Sequence, residues 1–90
     1  MQADKQEICR LLKTARGQLD ALIRMVEEDR YCIDISNQLL STQALLGTIN
    51  AEVLTAHVDC CVRQAFASGN KAEEEKKIKE LQSVLKRLSK

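Results

Sequence analysis

Proline and tryptophan are absent from this chain of 90 residues, and tyrosine and phenylalanine occur once each. Without proline, nothing forces a kink or removes a backbone donor, so helices are free to run long. Glycine is scarce, with only Gly17, Gly47 and Gly69, and that leaves little material for the tight turns that connect strands. Charge of one sign is missing too. The net value is +1, so bulk electrostatics give no strong pull toward nucleic acid or an anionic membrane surface. The N-terminus "MQADKQEICR" is polar and unlike a signal peptide. No apolar stretch approaches the roughly 20 residues of a membrane span, so the expectation is a cytoplasmic protein with no membrane partner. An enzyme is not expected and no catalytic residue is assigned, because the chain has a single histidine, no pocket-forming α/β pattern and no acid–base pair.

Leu, Ala, Lys, Glu and Gln are abundant, and they favour helix over strand. From Asp4 onward, Ile8, Leu11, Leu12, Ala15, Leu19, Leu22, Ile23 and Val26 recur at intervals of three and four, which predicts a first helix over about 4–28. A second periodic segment, with Leu39, Leu46, Ile49, Val53, Val58, Val62 and Ala65, predicts a long helix over about 32–68. "SGN" at 68–70 ends it, with Gly69 suited to a left-handed C′ position. A third helix follows over about 72–89, where Ile78, Leu81, Leu85 and Leu88 form a heptad-like seam and Glu73 to Glu75 sit at the favourable N-terminal end. The class is all-α: one domain of three helices with a long central one. So short a chain gains considerably from burial against other subunits, and a homo-oligomer is expected. Residues 1–30 carry six basic and six acidic side chains, residues 31–70 one and three, and residues 71–90 seven and four. The apolar middle is therefore flanked by two charged segments.

Against this plain background stands "TAHVDCCVRQ", residues 55–64. It holds the only histidine, His57, and two of the four cysteines, Cys60 and Cys61; the others are Cys9 and Cys32. In a reducing compartment, cysteines are more often metal ligands or reactive thiols than structural disulfides. His57 and Cys61 stand at i and i+4 on one helical face. Cys32 lies 25 residues before His57, about 37 Å of axial rise in a continuous helix, yet both counts, to His57 and to Cys61, fall near whole numbers of turns. The three side chains thus share a face without meeting inside one chain. Two copies of the long helix packed antiparallel about a twofold axis near Leu45 to Gly47, as a four-helix-bundle dimer, bring Cys32 of one copy beside His57 and Cys61 of the other. Gly47 at the crossing permits close approach. Two thiolates and an imidazole form a soft donor set that suits Cu(I) better than hard cations, while tetrahedral Zn²⁺ wants a fourth ligand. The same thiols, Cys32 and Cys61, can instead join as a disulfide or longer sulfur bridge after oxidation or persulfidation. Cys60 points about 100° away from Cys61 on an α-helix and reads equally well as a small buried hydrophobe.

The run "KTARGQLDALIRMVEEDRYCIDISNQLLSTQALL", followed at a set distance by "AHVDCCV", resembles the copper-sensitive operon repressor family (CsoR/RcnR) over residues 7 to about 65. The resemblance implies a bacterial transcriptional repressor, all-α and dimeric or tetrameric, that binds operator DNA without a helix-turn-helix. In the copper-sensing branch the ligand pattern falls on Cys32, His57 and Cys61, with Tyr31 beside the first; Cu(I) is then the inducer. The persulfide-sensing branch (CstR-like) keeps the two cysteines and typically lacks the histidine, and it supplies the alternative inducer. Once DNA is implied, the basic side of the first helix becomes its candidate contact surface: Arg10, Lys13 and Arg24 lie opposite the apolar stripe, with Lys5 and Arg16 on its flank. The chain departs from the pattern in "QALLGTIN", where copper sensors often carry basic residues, and in its extra thiols Cys9 and Cys60. A cytosolic Cu(I) carrier that touches no DNA is the rival class.

Overall fold

The computed structural model describes residues 1–88 and contains helices throughout, with no strand among those residues. Helix α1 spans Lys5–Glu27, α2 spans Cys32–His57, a π-helical turn occupies Val58–Val62, α3 spans Arg63–Ala67 and α4 spans Lys71–Leu88. The α2, π and α3 segments form one helical run, Cys32–Ala67, in place of the uniform second helix expected over about 32–68. The third helix begins one residue earlier than expected, and its expected last residue, at 89, lies outside the described residues.

Each boundary has a local cause. Asp4 caps α1, its carboxylate accepting from the N–H groups of Gln6 at 3.0 Å and Glu7 at 3.3 Å. At the other end Arg30 N–H donates to the Met25 carbonyl at 2.9 Å and Asp29 N–H to that of Val26 at 3.1 Å, the two bonds of a Schellman closure. Asp29 takes the left-handed position there, with φ 52°. Gly69 has φ 71° and ends α3 in the manner expected from "SGN". Asn70 then opens α4, its Oδ1 accepting from Ala72 N–H at 3.0 Å and Glu73 N–H at 3.3 Å.

The chain divides into two compact units, Met1–Thr55 and the residues from Ala56 onward. In the first, α1 buries Ile8, Ala15 and Leu22, and α2 contributes Thr42 and Ile49. Thr42 meets Gln18 of α1, and Arg10 of α1 feels the charge of Glu52 of α2; pairs whose numbers sum to nearly the same value mark an antiparallel hairpin. Toward its turn, Leu22, Ile23 and Val26 of α1 and Ile35 and Leu39 of α2 line an apolar groove. In the second unit α3 packs against α4 and buries Ala65.

By length and composition alone, Cys32–Ala67 is apolar enough to cross a membrane, although no uninterrupted apolar stretch occurs in it. The reason is that apolar positions lie on more than one side of this run: Ile33, Leu39, Leu40, Leu46 and Val58 are exposed in the single chain, while Asn37, Gln38, Gln43, Asn50 and Glu52 interrupt them. That mixture of apolar and amide side chains matches a helix covered by other helices better than one covered by hydrocarbon.

Asp29 supplies a local stability test. A glycine tolerates the left-handed conformation without a Cβ penalty. Asp29→Gly is therefore expected to raise stability by up to about 1 kcal/mol and Asp29→Val to lower it by about 1–2 kcal/mol. Thermal unfolding of both variants at one fixed protein concentration checks the order.

Candidate metal centre and nucleic-acid face

Cys32 is the first residue of α2 and is exposed. Tyr31 precedes it, its carbonyl accepting the N–H of Ile35 at 3.2 Å, so Tyr31 holds the cap position while its ring stays exposed. These two belong to the first unit. His57 closes α2, and Cys61 lies in the π turn that begins at the next residue; both are in the second unit. Among the described residues of the single chain, no three His, Cys, Asp or Glu side chains are gathered so as to hold a metal ion.

The π turn changes how the thiols are counted. An α turn closes from i to i+4, a π turn from i to i+5, so one more residue is needed to return to the same side. Four residues from His57 slightly overshoot an α turn and slightly undershoot a π turn, which keeps Cys61 beside the histidine in either geometry. What does change is the count itself, since a turn that closes from i to i+5 takes more than 3.6 residues. The uniform 3.6-residue count behind the shared face of Cys32 and Cys61 therefore does not hold through Val58–Val62. Cys60 and Cys61 are both half-buried, so Cys60 is neither a core side chain nor fully turned to solvent.

Glu80, which no sequence pattern singles out, faces the histidine. Its Oε2 lies 3.8 Å from His57 Nε2 and 3.7 Å from Lys77 Nζ. The first distance is longer than a hydrogen bond, so Glu80 is a neighbour on the Nε2 side of the ring, and Nδ1 is the nitrogen facing away from it. Metal-bound histidines commonly offer their second ring nitrogen to a carboxylate in this way. Nothing in the sequence pairs residues 57 and 80; the pairing needs the α3–α4 reversal at Gly69.

On α1, Lys13, Arg16 and Arg24 are exposed, as is Cys9. Lys13 and Arg24 lie away from the buried stripe of Ile8, Ala15 and Leu22, and Arg16 sits at its edge. Arg10 shares that outer side but is engaged. Its Nε donates to Glu7 Oε2 at 3.0 Å and its NH2 group to Oε1. That hydrogen bond holds the Glu7 carboxyl below its ordinary range and the Arg10 guanidinium above its own, with the opposite charge adding to both. Both groups lie at the surface, where such a pair adds little to stability.

Comparison with known proteins adds a family context. A family model for a metal-sensitive transcriptional repressor matches residues 4–87. The chain is 37% identical to the copper-sensing transcriptional repressor CsoR of Bacillus subtilis (strain 168), over 97% of this chain and 83% of that one. It is 45% identical to CsoR of Mycobacterium ulcerans (strain Agy99) over 64% of this chain. The chain spans about half the length of the mycobacterial relatives it matches, 50% for M. ulcerans and 57% for M. tuberculosis (strain ATCC 25618 / H37Rv). The crystal structure of the copper-sensing repressor CsoR with Cu(I) from Geobacillus thermodenitrificans NG80-2 superposes with a TM-score of 0.87 at 34% identity, covering 100% of this chain and 94% of that one.

The Glu7–Arg10 pair yields a prediction for nucleic-acid binding. A phosphate reaching Arg10 must displace Glu7, whereas Lys13 and Arg24 need no such exchange. Glu7→Gln is expected to tighten DNA binding at low salt, and Arg10→Ala to weaken it less than Lys13→Ala or Arg24→Ala. Removing one cation that neutralises a phosphate should flatten the slope of log affinity against log salt by about 0.9, read by fluorescence anisotropy.

Proposed function

Because the chain belongs to the metal-sensitive transcriptional repressors, we propose that it is a DNA-binding repressor released from its operator by Cu(I), held between subunits by Cys32 of one copy and His57 and Cys61 of another. The observation that carries this reading is the setting of His57, whose Nε2 lies 3.8 Å from the Glu80 carboxylate, with Cys61 four residues on in the adjoining π turn. That setting leaves Nδ1 for a metal and supplies the outer carboxylate such a ligand normally has. The donor set fits the ion, since thiolate and imidazole are soft and three of them satisfy Cu(I) without a fourth partner. The ion, when bound, supplies a soft positive centre that ties two subunits together.

The rest is done by the chain. Cys32 and Cys61 would bind as thiolates and His57 through a neutral imidazole, with Tyr31 next to Cys32 in the chain. The second copy supplies what one chain lacks, and the exposed apolar residues of α1 and α2, among them Leu12, Leu19, Ile23, Leu39, Leu40 and Leu46, give it a surface to cover. A Cβ at Gly47 would meet nothing within 4 Å inside the subunit, so a close approach there belongs to the partner helix. The outer side of α1, with Lys13, Arg16, Arg24 and Arg10, holds phosphates of operator DNA, and a tetramer repeats that side. Operator binding places the protein in the cytoplasm, and the reading assigns it no reaction to catalyse. Copper-sensing relatives across nearly the whole chain favour Cu(I) over a sulfur bridge between Cys32 and Cys61.

His57→Ala separates the inducers. Loss of one ligand in three should weaken Cu(I) binding by roughly 100-fold or more, measured anaerobically by competition with a chelator, and should abolish Cu(I)-driven release of a DNA fragment selected from a random-sequence pool. Persulfide treatment should still cross-link Cys32 to Cys61 of the neighbouring subunit in this variant. A normal copper response from His57→Ala removes His57 from the site, and a normal response from Cys32→Ala ends the shared-site reading. If wild-type protein binds copper but no selected DNA at moderate salt, it is a carrier.

A further inference from the structure

Thr42 is the one buried polar side chain recorded among the described residues, at 3% exposure, and it sits between the two helices of the first unit. Its Oγ1 lies 2.7 Å from Gln18 Oε1 across the helix pair and 3.1 Å from the Gln38 carbonyl one turn back on its own helix. A hydroxyl has one proton to give and two lone pairs. It donates that proton to Gln18, or it donates to Gln38 while the Gln18 amide turns its NH2 inward to donate to Oγ1. Both arrangements leave one polar bond joining α1 to α2. The remaining buried contacts between them come from Ile8, Ala15, Leu22 and Ile49, and apolar contacts are non-directional. They resist separation of the helices but only weakly resist rolling or sliding.

Gln18 is half-buried, at the margin between the apolar stripe and the outer side of α1. It is two residues after Arg16, five after Lys13 and six before Arg24. One helical step is a rotation of about 100°, so a roll of α1 by even part of a step carries all three cations to a new direction. We infer that the Gln18–Thr42 hydrogen bond is a positioning pair that fixes the roll and register of α1, and thereby aims its basic side at the DNA backbone. This rests on the proposal that DNA lies along α1. Neither residue touches DNA; both act through Lys13, Arg16 and Arg24.

The test compares Thr42→Val, which keeps the shape and removes the hydroxyl, with Thr42→Ser, which keeps the hydroxyl, and Gln18→Met, which removes the partner from a half-buried site that tolerates it. Selected DNA is titrated by anisotropy at several salt concentrations, with subunit mass from light scattering and thermal unfolding followed alongside. The expected result is DNA binding weakened roughly three- to tenfold in Thr42→Val and Gln18→Met at unchanged mass and well below the melting temperature. Thr42→Ser should recover wild-type affinity, and the double variant should lose no more than either single one. If Thr42→Val fails to fold, Gln18→Met carries the comparison. Wild-type DNA affinity and salt slope in Gln18→Met, with only its melting temperature lowered, would overturn the inference and leave the bond a structural one. Charge reversal at Lys13 and Arg24 in the same assay distinguishes the two claims: if those changes are silent as well, the DNA-facing role of α1 has failed; if they weaken binding and the Gln18–Thr42 variants do not, the positioning role alone has failed.

Discussion

The constraint on which the rest depends is how little apolar surface one chain can bury by itself. Among the described residues Ile8, Ala15, Leu22, Ile49 and Ala65 are the buried apolar side chains, and none of those residues is a large side chain fully out of water. Burial of apolar area is the main favourable term in folding, and against it stands the entropy of ordering every residue of three helices. Helices with so few buried side chains are a poor solution to that balance. The proposed second copy follows from this shortage before any site is considered, because Leu12, Leu19, Ile23, Leu39, Leu40 and Leu46 already form the surface a partner helix pair would cover. A ligand site shared between copies costs little more in architecture once such an interface exists.

Two polar features give direction to an otherwise non-directional assembly. Within the first unit the Thr42 hydroxyl and the Gln18 amide tie one rotational setting of α1 to one setting of α2. Within the second, Glu80 lies near both His57 and Lys77, so a helix that carries no proposed ligand sets a carboxylate beside the histidine. In each case a few polar atoms choose among packings that apolar contacts alone would leave close in energy. In the proposed repressor they would divide the labour: the first would aim cations on α1, and the second sits beside the histidine proposed as a ligand.

Much of this was legible from the amino-acid order, and the limits of that legibility are physical. The three-helix organisation followed from three- and four-residue periodicity, and Gly69 marked its stop because a left-handed residue is needed there. Asp29 was not foreseen in the same role, since aspartate accepts that conformation only as one of several it can take. Cys32, His57 and Cys61 stood out by residue type and spacing. Glu80 and Thr42 did not, because an ordinary surface glutamate on α4 and an ordinary threonine on α2 acquire their importance from what the fold sets opposite them. The π turn left no sign, because the apolar interval that spans it, Val58 to Val62, is an ordinary four residues.

Thermodynamic linkage sets what such a device has to achieve. An inducer shifts DNA occupancy only to the extent that it binds one conformation better than another, and the free energy coupling the two sites is the same from either end. A coupling of about 3 kcal/mol, near the upper end of ordinary allosteric values, changes DNA affinity by roughly 150-fold and lowers inducer affinity on DNA by the same factor. A site of three soft donors on helix ends suits that requirement better than a closed four-ligand cage. In the proposed site the geometry would be completed by subunit arrangement, so the ion's affinity would report that arrangement directly. The basic side of α1 reports it as well, through the roll of the same helices. In the proposed repressor, metal and DNA need no wire between them, because each favours its own setting of one shared interface.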